Sequence, residues 1–210
     1  MYSCYIKRIL DIIICIICLP LFAILLIIFG LMIKIEDYGP VFYKGERIGK
    51  DSKLYKMYKF RSMNVKATVI FNKDGNTYNS KHDSRVTKIG KFMRETSIDE
   101  TPQIINVLKG DMSIVGPRAS LAGELESFQQ DELDKMRVKP GITGYTQAYY
   151  RNRLSSREKR LKDAWYARNE SFWLDMKIFF RTIITVVKRE GLYTNDNTKL
   201  EAAKNQGLSS

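Results

Sequence analysis

The sequence predicts an α/β chain, mostly helical with a short β-hairpin, attached to an apolar amino-terminal helix. Three observations point there. No charged residue interrupts the run from Ile12 to Ile33. Lys53 to Arg61 mixes apolar and basic residues with the two-residue period of a strand. Farther on, Leu174, Ile178, Thr182 and Val186 recur at the spacing of one helix face. The chain divides into a membrane segment over 1–37, a folded domain over 38–194 and a polar tail over 195–210. At 210 residues it is long enough to bury a core without disulfides.

As a helix, the run 12–33 measures about 33 Å, enough to cross the hydrocarbon core of a bilayer. It is longer than the apolar part of a secretion signal, and no small-residue cleavage site follows it. Lys7 and Arg8 precede the run, and Lys34, Lys44, Arg47 and Lys50 follow it. Positive charge on both flanks asks both ends to stay on the cytoplasmic side. Pro20 removes one helical hydrogen bond and clashes with the carbonyl of Ile16. A helix that breaks at Pro20 and re-enters its starting face satisfies both observations; a kinked spanning helix is the alternative.

A formal net charge of +12 attracts polyanions, whether nucleic acid, anionic lipid or phosphorylated substrates. No nucleic-acid reader motif is present, and a bilayer anchor argues against that partner. Cys4, Cys15 and Cys18 lack companions at zinc-ligand spacing. His82, the one histidine, sits in a polar stretch and reads as a solvated loop residue.

After the membrane segment, Gly39-Pro40 turns into a strand through Val41-Phe42-Tyr43, and Gly49-Lys50-Asp51 joins it to the strand at Lys53–Arg61. Phe71 to Ser84 reads as a loop and Thr87 to Glu95 as a helix. A further helix starts at Pro102, capped by Thr101, and stops where Gly110 supplies a left-handed end. Helices are expected over Leu121–Arg137, Ser156–Arg168 and Phe172–Arg189, with a turn-rich stretch at Lys139–Gly144.

Asp99-Glu100 places two carboxylates just before that proline-started helix. Exposed amides and the positive helix end favour anions there. Adjacent acids repel unless a cation joins them, and Mg²⁺ suits a site beside a diphosphate. An aspartate can also act as a covalent nucleophile toward phosphorus. Ser97 and Glu100 alternatively match a capping box, although Pro102 would then fall inside the first turns. Lys59, Arg61, Arg94 and Arg118 are the basic candidates for phosphate, with Lys59 and Arg61 on one strand face and Arg118 in the rigid turn Gly116-Pro117-Arg118.

These residues resemble the bacterial sugar transferases known as monotopic phosphoglycosyl transferases. The likeness is carried by Lys7-Arg8 with Asp11, Gly39-Pro40-Val41-Phe42, Tyr58 to Met63, Ser97 to Gln103, Asn106 to Arg118, Lys139 to Gly144, and the tail pattern Asp163, Tyr166, Asn169, Ser171, Leu174-Asp175. It runs in order over nearly the whole chain. The resemblance implies a re-entrant helix, interfacial amphipathic helices and a small catalytic domain on the cytoplasmic face of the bacterial inner membrane. It implies transfer of a sugar 1-phosphate from a UDP-sugar to undecaprenyl or another polyprenyl phosphate, with release of UMP. Asp99 would be the nucleophile, Glu100 would assist metal or proton handling, and Mg²⁺ would bind near both. Lys59, Arg94 and Gly116-Pro117-Arg118 match positions lining the phosphate site. The segment with Gln147, Tyr150, Arg151 and Asn152 is a candidate sugar pocket.

Three positions depart from the family pattern. Leu19 precedes Pro20 where the family often has serine, Gly45 precedes Glu46-Arg47 where glutamine is common, and Ala119 follows Gly-Pro-Arg where proline is usual. The length matches the minimal catalytic form. The competing functional class is a non-catalytic module that binds anionic lipid through its basic face.

Overall fold

A computed structural model describes residues 2–68, 83–150 and 154–188. Most of the loop expected from Phe71 to Ser84, with His82, lies outside the described residues, as do Arg151, Asn152 and the polar tail.

Helix α1 spans Lys7–Asp37 and carries Pro20 inside it. Residues on both sides of the expected break are helical. Pro20 and Ile16 both lie on the exposed side, so the lost hydrogen bond falls away from the packed face. Cys15 and Phe22, on either side of it, are anchored in the same core. The buried stripe runs from end to end: Lys7, Asp11, Cys15, Phe22, Phe29 and Ile33. It packs on Met57, Phe60, Met93, Ile104, Val107 and Met112. The opposite face exposes Ile13, Ile17, Leu21, Ile24, Ile27 and Leu31.

Strand β1 (Phe42–Ile48) pairs antiparallel with β2 (Leu54–Phe60), in register from Phe42 against Phe60 to Ile48 against Leu54. The expected hairpin is present. Two short additions follow: β3 (Ser113–Val115) pairs in parallel with β5 (Gly141–Thr143), and β4 (Ser120–Leu121) joins the far side of β1. β2 is therefore an edge strand. Asn106, fully buried, covers it by accepting from the Tyr58 amide at 2.9 Å and donating to the Lys56 carbonyl at 2.8 Å.

Helix α2 (Lys88–Glu95) is capped by Thr87, whose hydroxyl accepts from the Gly90 amide at 2.9 Å. Helix α3 (Gln103–Lys109) ends at Gly110 with φ of 91°. Its start differs from expectation, because the Thr101 hydroxyl donates to the Ile98 carbonyl and caps nothing in α3. Helices α4 (Tyr145–Tyr149), α5 (Ser156–Arg168) and α6 (Phe172–Val187) complete the chain. The single helix expected over Leu121–Arg137 is instead two 3₁₀ segments, Ala122–Ser127 and Gln130–Arg137. Phe128 and Gln129 are extended between them, and the Phe128 ring lies under Lys135 and Arg160.

Both ends of α1 are tied to the domain. Lys7 Nζ lies 2.7 Å from Glu170 and from Asp175, and 2.8 Å from the Tyr166 hydroxyl. Arg8 donates to the carbonyls of Val107 and Leu108 at the end of α3. Asp11 accepts from the Ser113 hydroxyl and the Ile114 amide. At the other end, Glu36 accepts from the first amides of α2, and Asp37 meets Arg61 at 3.6 Å. Lys7, which looks in the sequence like a flanking topology charge, is neutralised inside the fold.

Lys7→Met strands two buried carboxylates, so it should cost about 3 kcal/mol, read as a large fall in melting temperature of the detergent-solubilised chain. The exposed Lys34→Met should move it little. Equal melting of the two variants would show that the buried cluster carries no stability.

Candidate active site

Helix α2 ends at Thr96, and Ser97 turns the chain with a left-handed φ of 58°. One 3₁₀ turn, Ile98–Glu100, then leads into α3. This sharp corner presents Asp99 and Glu100 beside the end of β2. Lys59 Nζ donates to Glu100 Oε1 at 2.5 Å, and the two side chains are only 19% and 24% exposed. The capping-box alternative is not formed: Ser97 makes no side-chain cap, and Glu100 is turned to Lys59.

The two acids are therefore unlike. Glu100 is held by a lysine through a short charge-assisted contact. No cation among the described residues comes within salt-bridge distance of Asp99. Burial pushes its carboxyl up to about 6, with Lys59 opposing, the Glu100 charge adding and Arg94 opposing. Arg94 is oriented by its bond from Nε to the Ser62 hydroxyl at 2.9 Å. A half-buried carboxylate with cations at a short remove can approach phosphorus without first breaking an ion pair.

Asn106 sets this geometry from behind. It sits on α3, which follows the dyad directly, and it grips β2 at Tyr58, the neighbour of Lys59. The sequence holds a signal for it: a polar residue within the apolar stretch Ile104-Ile105-Asn106-Val107-Leu108. That signal does not reveal that the side chain reaches across to β2.

Other expected residues lie elsewhere. Arg61 follows the end of β2, pairs with Asp37 and donates to the Asp37 carbonyl at 3.3 Å. Its guanidinium fills the space above Gly39, where a Cβ would lie 1.6 Å from Nη1. Arg61 thus joins the end of α1 to the hairpin and does not share the dyad with Lys59. Gly116 runs so close to β5 that a Cβ would lie 2.4 Å from the Lys139 carbonyl. The Pro117-Arg118 turn is held by a buried pair, Asp163 and Lys135, at 3.6 Å. Asp163 accepts from the Arg118 amide, and Lys135 donates to its carbonyl. The Arg118 side chain is exposed beside the far end of the hairpin, near Ile48 and Gly49. Tyr55, opposite Arg47 near that end, is about 13 Å along β2 from Lys59, four residues at the strand rise. Gln147 lies on α4 and donates to the Ile142 carbonyl at 3.2 Å, with its Oε1 buried and unpartnered. Tyr150 follows α4, with Lys162 stacked 4.7 Å from its ring centroid.

Among the described residues, no three His, Cys, Asp or Glu side chains gather as a cation cage. Mg²⁺ needs none, since it is held by one or two carboxylates with phosphate oxygens and water supplying the rest. Asp99 and Glu100 have the right chemistry for that arrangement.

The raised carboxyl makes stability depend on pH. Between about 4 and 6 folded Asp99 keeps a proton that the unfolded chain has lost, so its contribution falls as pH rises through that window. Asp99→Asn should remove this loss and gain on the order of 1 kcal/mol at pH 7.5, with no gain at pH 4. Paired thermal melts at the two pH values check it; a destabilised Asn variant at pH 7.5 would contradict the assignment.

A family model described as bacterial sugar transferase matches residues 2–189. The undecaprenyl-phosphate galactose phosphotransferase of Salmonella typhimurium is 37% identical over 205 residues, covering 91% of this chain and 42% of the relative. The UDP-glucose:undecaprenyl-phosphate glucose-1-phosphate transferase of Klebsiella pneumoniae is 42% identical over 185 residues, 84% of this chain and 39% of the relative. The uncharacterized sugar transferase EpsL of Bacillus subtilis is 35% identical over 201 residues and is matched over 96% of both chains. Apart from EpsL, these matches span about two fifths of the relatives' length. With the acidic corner, the hairpin lysine and the Gly-Pro-Arg turn all inside the matched span, the chain belongs to the bacterial sugar transferase family.

Proposed function

We propose that the protein transfers a sugar 1-phosphate from a UDP-sugar to a polyprenyl phosphate, undecaprenyl phosphate in particular, on the cytoplasmic face of the bacterial inner membrane. The observation that carries this reading is the inequality of the dyad: Glu100 tied to Lys59, Asp99 unpaired with a raised carboxyl. Named relatives act on UDP-glucose and on undecaprenyl phosphate.

The chemistry runs in two displacements. Ionised Asp99 attacks the sugar-bearing phosphorus, and the bond from that phosphorus to the bridging oxygen breaks, so UMP leaves with the electron pair. The acceptor's phosphate oxygen then attacks the same phosphorus and expels the Asp99 carboxylate, giving a polyprenyl diphosphate sugar. Lys59 holds Glu100 in place, and Arg94, whose charge acts on Asp99, would counter charge growing on the phosphoryl oxygens. Mg²⁺, when bound by Asp99 and Glu100, neutralises diphosphate charge as a Lewis acid.

Attachment to a single membrane face is supported by α1 itself. Its two ends are bonded to one domain while the outer side is apolar along its length. A helix held that way enters and leaves on the domain's side. Trp173, Phe180 and Ile184 on α6 add an exposed apolar face of the interfacial kind.

Asp99→Asn should lower UMP release at least 1,000-fold while membrane association persists. Wild-type protein incubated with UDP-sugar alone should gain the mass of one phosphosugar on Asp99. Undiminished UMP release by the Asn variant would sink the nucleophile role and leave the anionic-lipid module as the better reading.

A further inference from the structure

We propose that Arg47, with Tyr43, Tyr55 and Arg118, forms the subsite that receives the nucleoside monophosphate end of the donor. This deepens the transferase reading and rests on it.

The hairpin register sets Arg47 opposite Tyr55, Gly45 opposite Met57 and Tyr43 opposite Lys59. Paired and alternate residues share one face of a sheet, so Arg47, Tyr43 and Tyr55 project from the same side as the lysine that grips the dyad. Gly45 and Met57, in the middle of that face, are buried, and Tyr43 is exposed. A Cβ on Gly45 would lie 2.8 Å from the Tyr43 ring and 2.9 Å from its hydroxyl, which places the ring over the glycine. Arg118 arrives at the far end because Leu121, in β4, pairs with Arg47.

The groups gathered there are incompletely satisfied. Arg47 is half-buried, and among the described residues its guanidinium bonds only the Glu46 carbonyl, at 2.9 Å. Neither Arg47 nor Arg118 enters a salt bridge with any described residue. Glu124, a carboxylate in the neighbourhood, accepts from the Leu121 amide. The Tyr55 hydroxyl is buried without a partner. Burial holds the Arg47 pKa below its ordinary value, with Tyr43 opposing and Arg118 adding. Two guanidiniums that feel each other's charge and an orphaned phenol are completed by an anionic ligand that also carries hydrogen-bonding groups.

Polarity of the site says which end of which substrate. The Phe60 end of β2 packs on Phe22 and Phe29 of α1, so the dyad lies toward the apolar helix and Arg47 points away from it. A lipid-borne phosphate reaches the dyad from the α1 side. A water-soluble donor with its sugar-bearing phosphorus at Asp99 must extend the other way, along the hairpin face. An extended nucleoside monophosphate covers a length comparable to the separation of about 13 Å along the strand. Arginine forks match its phosphate, guanidinium planes stack on a base, and phenols meet ribose hydroxyls.

The test uses the full chain in detergent micelles, with wild type, Arg47→Gln and Tyr55→Phe. UMP affinity is measured by equilibrium dialysis, and KM is measured separately for UDP-sugar and for polyprenyl phosphate. Arg47→Gln should weaken UMP binding about tenfold and raise the donor KM in parallel, with the acceptor KM unchanged. Tyr55→Phe should weaken UMP about threefold at an unaltered melting temperature. The subsite is overturned if both variants bind UMP like wild type, if the acceptor KM rises in place of the donor KM, or if wild type itself does not bind UMP. Wild type that binds UMP through Arg47 yet releases none from any UDP-sugar would support the subsite and sink the transferase reading.

Discussion

A helix that is apolar on every side has to reconcile two surroundings, and α1 does so by giving one face to protein along its whole length. Its inner stripe supplies four of the ten described buried residues of the main core, Cys15, Phe22, Phe29 and Ile33, packed with Met57, Phe60, Met93, Ile104, Val107 and Met112. The stripe is apolar in the middle and polar at the amino-terminal end, where Lys7 and Asp11 are buried. Burial of those ions is tolerable only because each meets several partners at once. The hairpin, α2 and α3 all stand on this foundation, and the dyad stands on them. On the proposed function, membrane attachment and catalytic geometry are one packing problem.

Within the domain, the arrangement separates holding from reacting. Buried or half-buried ion pairs hold: Lys135 with Asp163 under the Gly-Pro-Arg turn, Lys59 with Glu100 at the corner, Arg160 with Glu132 beneath the 3₁₀ pair. Within the dyad, Asp99 stands outside such pairing with any described residue. Placing an acid next to a locked neighbour keeps its field felt while leaving its own oxygens available.

Elements with strong local signals were legible from the residues alone. The hairpin, α2, α5 and α6 show periodicity and end signals such as Thr87 and Ser155, and Gly110 marks the close of α3. Elements without local signals were not. β3 and β5 have three residues each and pair across a long loop, so no period exists to detect. Leu121 to Arg137 has helical composition, yet Phe128 leaves the helix to pack beneath two cations. The dyad was named by its motif, but its inequality depends on a lysine 41 residues away. Arg61 and Lys59 look equivalent by strand spacing; the strand stops at Phe60, and the two go to different partners. Lys7 and Arg8 look like charges facing water, and only the tertiary fold shows them turned inward.

Asn106 has an effect beyond the corner it steadies. An open sheet border invites another chain to add a strand. Here one carboxamide occupies a hydrogen-bond donor and an acceptor along that border. The hairpin is thereby sealed against self-templating by a single side chain, and solubility of the domain is protected by the same residue that aligns its chemistry.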